Sequence, residues 1–150
     1  MLKLLLPIAL SAGLLSTLPP TAEAKPLIEL MAGKASDRHV LFSFENADNP
    51  RKSMLRISTH RVGNPGAKLS VLIDKSSRPL LSRILTSKDC KFTDDGAQCT
   101  IIVAGHTKTY ERFLAAFQRG RLAHVEVRNA AVMQMQTDVP LTGFAKNLKG

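Results

Sequence analysis

Four histidines, twelve carboxylates and two cysteines are the groups through which this chain could do chemistry. His39, His60, His106 and His124 stand far apart. None forms H-x-H, H-x-x-x-H or H-E-x-x-H, the spacings that set two metal ligands on one element. His60 and His124 fall at outward positions of alternating runs, where a solvated imidazole is the ordinary case. A metal site would need distant residues to converge. No serine occupies a G-x-S-x-G elbow, and no S-x-x-K is followed by its partner motifs. Asp94 and Asp95 are adjacent just before Gly96, which suits a turn. Glycoside hydrolysis needs two acids facing each other across a cleft, and adjacency does not supply that. Gly63-Asn64-Pro65-Gly66 lacks the lysine and following helix of a phosphate loop. The residues predict no catalytic group, no metal and no cofactor. The expectation is a non-enzymatic protein.

Charge is the feature that rises above background. The formal net charge is +9 over 150 residues, which attracts anionic surfaces. Arg51, Lys52, Arg56 and Arg61 lie on or beside one predicted strand, while Arg119, Arg121 and Arg128 flank another. These seven are the candidate contacts to an anionic partner: lipopolysaccharide, anionic phospholipid or a polyanionic glycan. Nucleic acid is disfavoured, because exposed aromatics interleaved with the basic residues are not evident. A scattered basic surface that aids solubility is the bland alternative.

Cys90 and Cys99 flank a hairpin signal at Thr93-Asp94-Asp95-Gly96. C-x8-C is not the C-x-x-C spacing of exchange enzymes, so a structural disulfide is expected. A turn at Asp95-Gly96 would set the cysteines diagonally, a little far for easy bridging. A turn at Asp94-Asp95 would bring them closer to opposition. Sequence does not choose between these registers, and two buried free thiols remain the other reading.

The elements that must position these groups are short alternating runs. Val40, Phe42 and Phe44 alternate with polar residues over Arg38–Glu45. Leu55 and Ile57 do so over Ser53–Val62, as do Ala67, Leu69, Val71 and Ile73 over Ala67–Asp74. Ala123, Val125 and Val127 form the inward set of Arg121–Arg128, and Met133, Met135 and Val139 that of Ala131–Val139. Period two is the mark of a strand with one wet face. Residues 79–86 and 98–104 are more continuously apolar, which suits central strands. Turn residues recur every dozen positions or so, at 46–50, 63–66, 76–79 and 94–96, and Asn129-Ala130 is short enough for a hairpin. Tyr110, Phe113, Leu114 and Phe117 break the pattern with the spacing of a helical stripe. Thr109 is the expected N-cap and Gly120 the stop. The expected fold is all-β with one short helix: an antiparallel β-sandwich, Ig-like, or a partly open barrel.

Residues 1–24 read as a secretory signal peptide. Lys3 precedes an apolar stretch of about 15 residues, and Pro19-Pro20 and an Ala22-Glu23-Ala24 cleavage site follow. That stretch is short of the roughly 20 residues a membrane span needs, so a retained anchor is the weaker reading. The mature chain would be a single domain over 25–150, periplasmic or secreted. Its loss of Lys3 and Glu23 leaves the net charge unchanged.

The second half combines a strand ending at Asp74, the cysteine hairpin, the helix ending at Gly120, two strands and a closing Leu141-x-Gly143-Phe144-x-x-x-Leu148. That order resembles the invasion-associated locus B family of exported bacterial proteins, over about residues 53–148. Members usually open with a tryptophan-containing strand and further cysteines. This chain has no tryptophan and no cysteine before Cys90. The resemblance implies a periplasmic or secreted β-sandwich associated at family level with host-cell invasion, and it implies no catalytic residues. The expectation is an exported interaction protein that binds a protein or envelope partner. Phe144 is expected to enter the core near Phe113 and Phe117, after a glycine with an unusual backbone angle.

Overall fold

The computed structural model describes residues 27–33, 37–49, 51–94, 96–130 and 132–149. The signal peptide and its cleavage site lie outside these residues, as do Pro50, Asp95 and Ala131 of the expected turns and strands. Among the described residues, nine strands form two antiparallel sheets. β1 (Leu27–Ala32), β2 (His39–Glu45), β3 (Met54–His60), β7 (Gly96–Ala104) and β6 (Cys90–Thr93) make one sheet in that spatial order. β5 (Leu81–Ile84), β4 (Lys68–Ile73), β8 (Leu122–Asn129) and β9 (Val132–Pro140) make the other. The architecture is the expected all-β sandwich. β1 is an addition to the strands read from the sequence.

Alternation sets the inner faces. Val40, Phe42 and Phe44 on β2 meet the core with no exposed surface, as do Leu55 and Ile57 on β3 and Leu69 and Val71 on β4. Ala123, Val125 and Val127 on β8 are likewise fully buried. Turns between these strands use left-handed residues at Asn46 (φ 54°), Asp74 (φ 53°) and Ala130 (φ 55°). The short asparagine and aspartate side chains tolerate that conformation best.

Helix α1 (Lys108–Arg119) carries the chain from one sheet to the other. It starts two residues earlier than expected. Thr107, not Thr109, is the N-cap, its Oγ1 accepting from the Tyr110 N–H at 3.2 Å. The cap sits three residues before the donor it satisfies, and Thr109 lies inside the first turn. Tyr110, Phe113 and Phe117 are buried. The Phe117 ring meets Phe42 at 5.5 Å and Phe44 at 5.4 Å, linking the helix to β2. Gly120 does stop the helix, but with an extended backbone (φ −76°). Glycine is needed there because a Cβ would stand 2.6 Å from Ile73 and 2.8 Å from the Ala116 carbonyl.

Three further expectations change. β5 is an edge strand beside β4 alone, with Ser82, Arg83 and Ile84 exposed, so its apolar run does not mark a central strand. Leu80 and Leu81 pack against the core from its start, and Leu85 is buried just past its end. Met133 and Met135 do not share one face. A bulge opposite Val127/Arg128 pairs Met135 with buried Val127 and Met133 with exposed Arg128. Finally, the chain ends in a second short helix, α2 (Phe144–Lys149), after the left-handed Gly143 (φ 88°).

Candidate functional site

A cleft of about 420 Å³ opens where β3 ends, beside the start of β7. Arg38 and Arg61 line it together with Asp37, Gly63, Asn64 and Gln134. The fold places these residues for local reasons. His39 pairs with His60 across β2 and β3, so Arg38 and Arg61 are the next residues on each chain beyond that pair. Arg61 then takes a left-handed backbone (φ 56°), while its N–H is held by the Ala97 carbonyl at 3.0 Å. A left-handed arginine is uncommon and costs about 1 kcal/mol or more, so the surrounding structure must enforce it. Gly63 follows with φ 88°.

The β9 bulge supplies the far wall. Gln134 is the extra residue between Met133 and Met135 in that ladder, and bulges re-aim side chains in this way. Its Oε1 accepts from the Gly63 N–H at 2.8 Å, and its carbonyl accepts from Arg38 Nη1 at 3.4 Å. At the rim, Asn129 Nδ2 donates to Asn64 Oδ1 at 3.1 Å. Arg61 Nη1 stands 3.9 Å from Asp37 Oδ2, whose side chain is 91% exposed. Such a pair is screened by water and salt and stabilises little, so a multivalent anion can displace the aspartate. A guanidinium group suits bidentate recognition of phosphate, sulfate or carboxylate.

The seven basic residues singled out from the sequence do not share one cleft. Arg61 lines the cleft just described; Arg38, its partner there, was missed, although the hairpin register would have pointed to it. Arg51 and Lys52 sit in the β2–β3 turn at the opposite end of β3. Arg56 projects from the outer face of β3 and pairs with Glu45 Oε2 at 3.2 Å. Arg128 is the last residue but one of β8, paired with Lys68 and Met133. Arg119 and Arg121 flank Gly120 at the other end of β8.

Arg121 lines a second cleft, of about 610 Å³, with Asp74, Lys75, His124 and Asp138. His124 Nδ1 donates to Asp138 Oδ1 at 2.6 Å, and Nε2 lies 3.2 Å from Glu126 Oε1. The hydrogen bond to Asp138 leads in raising the imidazole pKa above its ordinary value. Burial opposes it and Glu126 adds to it. Both ring nitrogens are engaged by carboxylates, which makes a closed charge cluster and leaves no nitrogen directed at a substrate. Asp74 Oδ1 accepts the N–H groups of Arg121 and Leu122, each at 3.0 Å. These two bonds, that from Leu122 foremost, hold its carboxyl below the ordinary pKa.

Two other features were invisible to linear spacing. His39 and His60 stack with ring centroids 4.8 Å apart, and Gln98 Nε2 donates to His60 Nδ1 at 3.2 Å. Among the described residues no group of three or more metal-ligating side chains is placed to hold an ion. Phe92 is 71% exposed beside Lys91, so one aromatic ring does accompany a basic residue at the surface.

No helix among the described residues is long and apolar enough to cross a membrane. No family model, curated protein or solved structure matches this chain.

Proposed function

We propose that this protein is an exported, non-enzymatic binding module that holds an anionic group of an envelope or host-surface polymer between Arg38 and Arg61. The observation that carries this reading is that two arginines, Arg38 and Arg61, line one cleft in a chain of net charge +9. The distributed charge draws a polyanion to the surface, and the cleft gives one of its groups a defined seat. The Ala22-Glu23-Ala24 leader pattern supports export, and the Cys90–Cys99 disulfide is in keeping with an oxidising compartment. The likeness of residues 53–148 to the invasion-associated locus B family supports a role at the boundary between envelope and host.

Titration of the protein with heparin and with lipopolysaccharide at rising salt tests the anionic reading. Affinity should fall tenfold or more between about 50 and 200 mM salt. Affinity that does not respond to salt would point to an apolar protein contact instead. Export is checked by intact mass of the native envelope form, which should begin at Lys25. A species retaining Met1 would contradict it.

A further inference from the structure

The two open sides of the sandwich differ. On one, the edge strands β1 and β9 lie in contact with each other. On the other, β6 covers β7 incompletely: its four residues pair with Gly96–Cys99, and Asp89 extends this by accepting from the Thr100 N–H at 2.8 Å. β7 continues to Ala104 with β3 on its inner side and no described strand on its outer side.

Backbone direction alternates along a strand. The N–H groups of Cys99 and Gly105 point toward β3, where Thr59 Oγ1 and the Ser53 carbonyl accept them at 2.9 Å each. That of Thr100 points the other way. Ile102 and Ala104 share the parity of Thr100, so their N–H groups and the Ile102 carbonyl face the uncovered edge. The Ala104 carbonyl is already taken by Thr107. The edge borders a groove of about 360 Å³, whose far wall is Leu81 and Arg83 of β5. Ile102 is 57% exposed beside it.

Unpaired strand groups at an apolar groove are matched by another extended backbone. Lysines stand at both ends: Lys88 and Lys91 around β6, and Lys108 between Thr107 and Thr109 of the groove lining. Asp89, the acid at that wall, is occupied by Arg83 and Thr86 at 3.0 Å each. We propose that the outer edge of β7 from Ile102 to Ala104 accepts, as an added strand, an extended segment of a partner protein with apolar residues at its centre and acidic residues at its ends. This site is separate from the Arg38–Arg61 cleft and does not rest on the anion reading.

The probe is a synthetic capped peptide, Glu-Val-Thr-Val-Thr-Val-Glu, with a lysine-ended version and a version N-methylated at alternate amides. Amide exchange followed by NMR reads the edge directly. Ile102 and Ala104 should exchange fast in the monomeric protein, and the acidic peptide should slow both tenfold or more. The N-methylated peptide, which leaves the protein unaltered, should slow neither. Ile102→Pro removes the outward N–H together with the Ile102 side chain and should abolish the protection of Ala104 with the melting curve retained. If this variant fails to fold, the N-methylated peptide carries the same test. Three results would overturn the proposal. They are protection of both amides in the peptide-free monomer, equal protection by the lysine-ended peptide, and protection that rises with protein concentration alone, which would make the occupant a second copy.

Discussion

Cys90 and Cys99 stand directly opposite each other, with Cα atoms 3.9 Å apart, because the hairpin pairs Thr93 with Gly96. A slip of one residue in that turn would have made them diagonal. The sequence leaves both registers open because Asp94, Asp95 and Gly96 are all acceptable turn residues. On the chain-entropy model the bond stabilises by about 2.5–3 kcal/mol. Replacing both cysteines by serine should lower the melting temperature while leaving polyanion binding intact; alkylation of both thiols in the native oxidised protein would contradict the bond. His124 is a second residue whose surroundings are invisible in linear spacing, since Asp138 reaches it only through the β8–β9 pairing. Its pKa is raised in the folded state, chiefly by the hydrogen bond to Asp138. The stabilisation is therefore fully present below the unfolded pKa of about 6.5 and is lost as pH rises through the folded value. The melting temperature of wild type should exceed that of His124→Gln most near pH 6, with the gap closing toward pH 9. A gap that widens with rising pH would contradict this assignment.

Elements obey the periods of their residues more faithfully than their ends do. The stripe Tyr110, Phe113, Phe117 is a helix face, and the alternating runs of β2, β3, β4 and β8 are strands with the expected residues inside. Errors gather where one residue shifts a boundary. Thr107 and Thr109 are both competent caps, and the bulge at Gln134 moves Met133 off the inner face without any mark in composition. The site shares that fate: Arg61 was singled out as basic, but its partner Arg38 became visible only once β2 and β3 were in register. The closing segment shows long-range packing completing a local signal. Gly143 has the left-handed backbone expected of it, and Phe144 is 1% exposed. Its ring meets Phe44 at 4.9 Å and Phe117 at 5.6 Å, with Phe113 one ring further away. α2 is thus fastened to both β2 and α1. Phe144→Ala should cost about 3–5 kcal/mol in equilibrium unfolding. A change under about 1 kcal/mol would mean that the ring does not belong to this core.

At the scale of the whole molecule, the sandwich gives its basic residues separate stations. Arg51 and Lys52 stand in the β2–β3 turn at one end of β3, Arg56 projects from its middle, and Arg61 follows its other end, where it lines a cleft with Arg38. Net charge was legible in the sequence; its division among these stations was not, because strand pairing alone brings distant arginines together. That division permits a charge-matched comparison. Arg38→Gln/Arg61→Gln and Arg51→Gln/Lys52→Gln each remove two positive charges from exposed positions. General attraction of a polyanion responds to both alike, whereas a seat in the cleft responds to one. Heparin affinity at about 100 mM salt should fall tenfold or more in the cleft variant, and by no more than about threefold in the turn variant, the loss expected from screened surface charge. Equal losses in the two variants, with both proteins melting as wild type does, would contradict the Arg38–Arg61 cleft as the binding site.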